Sequence, residues 1–230
     1  MKSQKKEIKA VFFDRDNTLT YKNQLVLNTY NKLVEGVSGK PYCETKEKMF
    51  EIFKRIKEKG FNTNSYKNEK LFYKEYYKNV LINECGYCDK KIENLAQQIF
   101  DIMWLKDRLL FEDVIPTFKE LKNRGLKIGI ISDTTLSLQK SLEVLGLDKF
   151  IDSYTSSKEV GVMKPNPEIY LSALAKLGVN PEECLYVDDY EEEVVGAENL
   201  GIKSFRINRD KKNNILDHDI FSLTEVLNCL

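Results

Sequence analysis

The sequence predicts an α/β protein in which a Rossmann-like parallel sheet, flanked by helices, is interrupted by an all-helical insertion. Three observations support this fold class. An apolar run over residues 8–13 has the composition of a buried parallel strand. From about Leu25 to Leu110, apolar residues recur only at helical spacing. After Leu110, helical segments alternate with short apolar segments, as they do in βαβ units.

The first predicted strand ends at a pair of acids. Asp14 and Asp16 are spaced i, i+2, and Thr18 follows them. Carboxylates at the end of a buried strand are costly unless they pair with a cation or take part in chemistry. Ligands bind at the carboxyl ends of the strands in open α/β sheets. This stretch therefore predicts an acidic, metal-assisted site.

The insertion contains four segments of helical periodicity, and no strand separates them. They predict a four-helix bundle, which we expect to form a domain of residues 22–110 inserted into a core of residues 1–21 and 111–230. Ser65 and Asp89 are the expected N-caps of the third and fourth helices. The third helix is rich in Tyr and Phe, which could face a substrate, but a place in the bundle core is favoured.

The remainder of the chain predicts alternating helices and strands. Helices are expected over residues 113–124, 136–145, 167–177, 191–200 and 221–227, and strands over residues 126–131, 150–155, 184–187 and 203–207. Asn166-Pro167 provides an N-cap followed by a proline in the first turn, and Gly178 follows the same helix. Residues 208–219 form a polar connection.

Polar side chains stand at four predicted strand ends. They are Asp14/Asp16/Thr18, Ser132/Asp133/Thr134, Ser156/Ser157 and Asp188/Asp189. Because the carboxyl ends of parallel strands lie along one edge, we expect these groups to meet there, and Lys164 can reach the same edge. The only histidine is His218, which excludes most histidine-based chemistry. Acids, a hydroxyl and a lysine suit phosphoryl transfer better than acyl transfer.

Composition excludes several classes of protein. Lys+Arg and Asp+Glu both number 36 in the 230 residues, so the charge balance does not predict a nucleic-acid partner. No apolar run approaches the roughly 20 residues of a membrane span, and none resembles a signal peptide, so we expect a cytoplasmic protein with no membrane partner. An odd count of five cysteines indicates reduced thiols. Cys85-Gly-Tyr-Cys88 is interpreted as an incidental pair, since a zinc site needs two more ligands.

In the residues at these strand ends and in Lys164, the chain resembles the haloacid dehalogenase-like hydrolases. Among them it is most similar to the phosphatase branch, which has a helical cap inserted after the first strand. Asp14-Arg15-Asp16-Asn17-Thr18-Leu19 is similar to the family's D-x-D-x-T-L motif. The other matching positions are Ser132 at the end of the second strand, Lys164 before Pro165, and Asp188-Asp189 with Glu193 and Gly196-Ala197. Four motifs in the family's order are far more specific than any one of them.

The resemblance implies a role for each matching residue. Asp14 would be the nucleophile that forms an aspartyl-phosphate, and Asp16 would act first as general acid and then as general base. Asp14, the backbone carbonyl of Asp16, and Asp189 would hold Mg²⁺. Ser132, Asp133 and Lys164 would bind the phosphate, and Lys164 would also neutralise Asp14.

The chain departs from the commonest family pattern at four positions. Arg15 replaces an apolar residue; we expect it to point to a cap interface or to solvent, although it could neutralise nearby carboxylates or contact an anionic substrate. Asn17 replaces a Gly, and because Asn tolerates left-handed backbone the turn should survive. Asp188 precedes Asp189, and the spacing to Gly196-Ala197 favours Asp189 as the metal ligand. Glu193, where Asp is frequent, could act through water or orient Lys164.

The resulting hypothesis is a Mg²⁺-dependent phosphatase that hydrolyses a small phosphomonoester. A phosphomutase is an alternative, because it would use the same acids of the core, together with a cap that excludes water. A dehalogenase is less favoured, since its reaction releases no alkoxide that must be protonated and so has no use for Asp16 or Mg²⁺. An inactive binding module of the same fold is the remaining alternative. The substrate and the oligomeric state, monomer or homodimer, stay open.

Overall fold

A six-stranded parallel sheet organises the part of the chain that the structure, a computed structural model, describes: residues 7–42, 44–210 and 215–230. The strands are β1 Ala10–Phe13, β2 Thr20–Lys22, β3 Arg108–Leu110, β4 Lys127–Ser132, β5 Ser153–Ser156, β6 Cys184–Asp188, β7 Lys203–Ile207 and β8 Asp219–Ile220. The order in the sheet is β5-β4-β1-β6-β7-β8, and β2 and β3 form a separate two-stranded sheet. Every neighbouring pair in the large sheet is parallel, so the predicted parallel sheet of an α/β fold is confirmed.

In the described part of the chain, four α-helices follow one another between β2 and β3, and the others come after β3, between successive strands. The helices are α1 Gln24–Ser38, α2 Lys46–Glu58, α3 Tyr66–Asn79, α4 Ile92–Met103, α5 Val114–Asn123, α6 Leu138–Val144, α7 Ser157–Val160, α8 Pro167–Leu177 and α9 Glu191–Glu198. Asn166 caps α8 by accepting the backbone N–H of Glu168 at 3.0 Å, and Gly178 ends it in the left-handed conformation, as predicted. None of the described helices is long and apolar enough to cross a membrane.

The chain divides into two units. One, here the core unit, holds the described residues of Met1–Tyr21 and Leu110–Leu230, and the other, here the helical unit, holds those of Lys22–Leu109. Strand β1 is buried on both faces at the centre of the core unit. Because side chains alternate along a strand, Val11 and Phe13 pack with Phe118 on one face, whereas Ala10 and Phe12 pack with Tyr170 on the other.

The helical unit is held by its own apolar core. Phe72, Tyr76 and Tyr77 of α3 are buried in that core, so the favoured interpretation of this aromatic helix is confirmed for these side chains. Ser65 caps α3 by accepting the N–H of Asn68 at 3.1 Å, as predicted. The prediction for α4 was wrong: Asp89 accepts the N–H of Lys91, and the helix begins three residues later at Ile92.

Further elements differ from the prediction. Strands β2 and β3, which include Lys22 and residues 108–110, lie at the two ends of the segment that was expected to be all helical. The expected terminal helix is a 3₁₀ segment, Leu223–Asn228, capped by Ser222; so short a segment closes with the tighter i→i+3 bonds. Within the expected polar connection, Asp219–Ile220 forms β8; residues 211–214 of that connection lie outside the described residues. Ser156, expected beyond its strand, ends β5 and caps the short helix α7.

Candidate active site

Lys164 occupies the centre of a buried ion cluster at the carboxyl ends of β1 and β6. Its Nζ lies 2.8 Å from Asp14 Oδ1, 2.7 Å from Asp188 Oδ2 and 2.5 Å from Glu193 Oε2. The side chain of Lys164 is 2% exposed. Parallel pairing explains the meeting, because Phe13 and Val187 are register partners and each is followed directly by an acid. Glu193 therefore contacts Lys164 directly, which agrees with the orienting role considered for it.

A cluster of three carboxylates extends from this ion pair. One oxygen each of Asp14, Asp188 and Asp189 lie within 4.8 Å of one another. Three carboxylates, those of Asp14, Asp188 and Glu193, contact the ammonium of Lys164, and Asp189 lies beside two of them, so the site has an excess of negative charge that a divalent cation would reduce. Hard oxygen donors at this spacing suit Mg²⁺, so the donor set fits the metal that the sequence predicts. Asp188 thus belongs to this group together with Asp189, the residue that sequence spacing had favoured as the metal ligand.

Burial shifts the pKa values of these groups. It raises the pKa of Asp14 to about 8, and the nearby charge of Asp188 adds to this while Lys164 opposes it. Burial also raises the pKa of Asp188 and of Asp189, each to about 6. For Lys164, burial lowers the pKa, but the carboxylates more than offset it, and the pKa is held well above its usual value. Lys164 thus remains a cation, and ionised carboxylates in this pocket need further positive charge.

Residues from β4 and the β1 turn complete the edge. Ser132, the last residue of β4, is 2% exposed. The carboxylate of Asp133 accepts the backbone N–H of Lys164 at 3.1 Å, so this side chain secures the loop that carries Lys164. Asn17 has φ +61°, which confirms that it takes the left-handed turn, and its Nδ2 donates to Asp189 Oδ2 at 3.2 Å.

The orientation expected for Arg15 was wrong. Its side chain is 13% exposed and folds back over the neighbouring acid. Nε donates to Asp16 Oδ1 at 2.8 Å and Nη2 to Asp16 Oδ2 at 3.1 Å. The alternative, that its charge neutralises a nearby carboxylate, is the one that the structure supports. Arg15 is drawn inward because a bidentate pair with a carboxylate satisfies two donors of its planar fork.

Tyr186 is a site residue that the sequence interpretation missed. It is fully buried on β6, and its hydroxyl donates to Asp188 Oδ2 and accepts from Lys164 Nζ at 3.2 Å. Tyr186 and Asp188 are two residues apart on one strand and therefore share a face of the sheet. That alternation was the signal that could have identified it.

A cavity of about 510 Å³ lies beside Asp189, within the core unit. Asn17 and Asp189 form part of its wall, with Tyr21 and Phe111 among the other lining residues. This volume falls within the usual range for small-molecule sites. Arg209 also lines the cavity, but its guanidinium is engaged by Asp113 at 2.7 Å.

Comparisons with known proteins show the family of this chain. A glyceraldehyde 3-phosphate phosphatase of Methanopyrus kandleri is 30% identical over 211 residues, which are 89% of this chain and 85% of the relative. A protein of that name from Methanocaldococcus jannaschii is 29% identical, covering 94% and 92%. A solved HAD phosphatase of Thermococcus onnurineus is 26% identical, with a TM-score of 0.64 and coverage of 96% and 97%. The family model for haloacid dehalogenase-like hydrolases matches residues 8–201, and the chain belongs to this family.

Proposed function

We propose that this protein is a Mg²⁺-dependent phosphatase that hydrolyses a small phosphomonoester through an aspartyl-phosphate. The observation that carries the proposal is the buried cluster in which Lys164 Nζ lies 2.8 Å from Asp14 Oδ1, beside two further aspartates. A carboxylate can attack a phosphate dianion only where positive charge offsets both anions. Lys164 supplies one such charge beside Asp14, and a divalent cation held by the aspartates would supply the rest.

In the proposed reaction, an oxygen of Asp14 attacks phosphorus while the bond to the leaving oxygen breaks. Asp16 gives its proton to the departing alkoxide. Asp16 then takes a proton from water, whose oxygen attacks the aspartyl-phosphate and releases inorganic phosphate and the carboxylate of Asp14. Lys164 is a fixed positive charge beside the nucleophile. Ser132 would donate its hydroxyl to a phosphoryl oxygen, and for Asp133 the contributing group would be the backbone N–H, since its carboxylate would repel the phosphate.

The metal ligands in this proposal are Asp14, the backbone carbonyl of Asp16, and Asp189. The carboxylate of Asp188 lies close enough to contribute, although Lys164 also engages it. Bound Mg²⁺ would neutralise charge on the phosphate and on the nucleophile. These carboxylates must be ionised to bind it, and their raised pKa values therefore predict weaker binding in acid.

Glyceraldehyde 3-phosphate is the first substrate to test, because two similar proteins that align over most of their length carry the name of its phosphatase. A cavity of about 510 Å³ has room for a small sugar phosphate. We further propose that residues 22–110 act as a cap over a core formed by residues 1–21 and 111–230. A cytoplasmic location, the absence of a nucleic-acid partner and a monomeric or homodimeric state stay predictions.

The test is a panel of phosphomonoesters assayed for phosphate release, with Mg²⁺ and with EDTA. We expect turnover with Mg²⁺ only, and its loss in Asp14→Asn. Asp148→Asn, which alters an exposed aspartate of the core unit, is the matched control and should retain activity. Turnover that persists in Asp14→Asn would refute the covalent mechanism. Isomerisation of a sugar phosphate without phosphate release would indicate a phosphomutase, and binding of Mg²⁺ and esters with no turnover would indicate an inactive module.

A further inference from the structure

Arg15 is joined to Asp16 by a two-bond clamp. Successive residues of a regular strand point to opposite faces, so these neighbours could not pair within β1. They pair because the chain leaves the strand at Asp14 and turns. The backbone oxygen of Arg15 accepts the N–H of Leu19 at 2.9 Å and of Thr20 at 3.0 Å, and this closes the turn. Two parallel bonds from the planar guanidinium then constrain both the position and the plane of the Asp16 carboxylate.

The other end of the guanidinium is anchored to the core unit. Arg15 Nη1 donates to Ser141 Oγ at 3.0 Å, and Nη2 lies 3.4 Å from Thr134 Oγ1. Ser141 is buried on α6, where its own hydroxyl donates to the carbonyl of Leu138 at 2.7 Å. A continuous path of hydrogen bonds therefore leads from α6 through Arg15 to Asp16.

Asp16 needs such support more than Asp14 and Asp188 do. Its side chain is 33% exposed, whereas that of Asp14 is 8% exposed and that of Asp188 is 1% exposed. Packing holds the two buried carboxylates, but a carboxylate on an exposed turn can adopt several rotamers. A proton donor is effective only when it lies within hydrogen-bond reach of the atom that receives the proton.

We propose that Arg15 is a positioning residue, which holds the Asp16 carboxylate for proton transfer and so determines how well the enzyme cleaves esters with poor leaving groups. This inference rests on the proposed function. The guanidinium keeps its own protons throughout; the proton moves from Asp16 to the leaving oxygen in the first step and from water to Asp16 in the second. Its effect should depend on how strongly the leaving group needs a proton.

The experiment compares Arg15→Gln with the wild-type enzyme on two substrates, with Mg²⁺ present. Glyceraldehyde 3-phosphate releases a basic alkoxide, whereas p-nitrophenyl phosphate releases a phenolate that needs no proton. General acid catalysis is worth about 10²–10⁴-fold, and misplacing rather than removing the acid should cost roughly 10–100-fold in kcat for the alkyl ester. The rate of the p-nitrophenolate burst should change less than about threefold, and KM should change little.

A double-mutant cycle separates positioning from a general structural role. If Arg15 acts through Asp16, then adding Arg15→Gln to Asp16→Asn should lower kcat for the alkyl ester by no more than about twofold. Ser141→Ala removes one hydrogen bond that anchors Arg15 and leaves Asp16 unchanged. It should give the same dependence on the leaving group, with a smaller fall in kcat for the alkyl ester. Arg124→Gln is the matched control, because it breaks an exposed pair with Glu120 at 2.8 Å, and it should leave both substrates unaffected.

Equal losses on both substrates, or a full additional loss in the Asp16→Asn background, would overturn the role of Arg15. Those results would leave the proposed phosphatase intact, since the wild-type enzyme would still turn over. If Arg15→Gln fails to fold, Arg15→Lys and Ser141→Ala provide the same comparison. Arg15→Lys keeps the charge but loses the planar fork, so it should recover only part of the activity on the alkyl ester.

Discussion

Replacing Lys164 by Met should destabilise the metal-free protein strongly. The ammonium is 2% exposed and lies within 2.8 Å of three carboxylates. Breaking a buried ion pair costs about 3–5 kcal/mol, because the remaining charges stay buried without a partner. For a protein of this size, that loss corresponds to a fall in Tm of roughly 6–20 °C. Exposed Lys176, which pairs with Glu159, is the control; Lys176→Met should cost about 1 kcal/mol or less.

The stability lost in Lys164→Met should also depend on pH. The pKa values of Asp14 and Asp188 are higher in the folded protein than in the unfolded chain. Between the usual and the raised pKa, the folded protein therefore binds more protons than the unfolded chain does. Its stability falls as pH rises through that range. Without Lys164 these pKa values should rise further. The cost of Lys164→Met should therefore be largest near about pH 8 and smaller near about pH 5, where a proton replaces the lost ammonium.

The assay is urea unfolding in EDTA, followed by far-UV circular dichroism at both pH values, with Lys176→Met measured in parallel. A loss no larger than that of the control would refute the account of Lys164 as the neutralising centre of the cluster. A large loss that is equal at both pH values would refute the argument that the uncompensated carboxylates cause it.

Three further outcomes are expected from the geometry. Asp189→Asn should stabilise the metal-free protein by about 1–2 kcal/mol near neutral pH, a value reduced to allow for the partial exposure of Asp189, because burial raises its pKa to about 6. Urea unfolding should show that this gain in stability fades toward about pH 4. A loss of stability that grows with pH would contradict this reason. Gly196→Ala should lower the free energy of unfolding by about 1–3 kcal/mol, measured as a lower Tm, because the new Cβ would lie 2.6 Å from Pro165 Cβ. Gly36→Ala in α1 should be neutral or stabilising, because no atom of the described residues lies within 4 Å of the new Cβ outside its own helix. Asn17→Gly should be more stable to heat than Asn17→Ala by about 1 kcal/mol, since the backbone there has φ +61°, and equal stabilities would contradict that reason.

Much of the site could be predicted because its main determinants are local. The apolar run before Asp14 and the capping pair Asn166-Pro167 place an acid at a strand end and Lys164 before a helix. Parallel topology then brings these positions to one edge, whatever the details of packing. The result is the 2.8 Å approach of Lys164 to Asp14 across 150 residues of sequence.

Other features depended on contacts that no local pattern encodes. Residue spacing left Arg15 pointing outward although its clamp partner Asp16 is the next residue, because the side chains that anchor its other end, Thr134 and Ser141, are more than a hundred residues away. The contact of the Tyr186 hydroxyl with Lys164 Nζ at 3.2 Å depends on how the loop that carries Lys164 folds back onto the strand. Likewise, β8 is two residues long and depends on Asp219, which pairs with Arg206 at 2.7 Å.

The sequence by itself determined the alternation of helices and strands, the inserted helical segment and the set of acids that gather at the sheet edge, since these follow from periodicity and from the topology of parallel sheets. Only the tertiary structure decided how the acids differ. Asp14 and Asp188 are buried against Lys164, whereas Asp16 lies more exposed, within the clamp of Arg15. The physical reason is that burial and charge pairing are set by side chains distant in sequence, and a carboxylate's environment, more than its identity, determines what it can do.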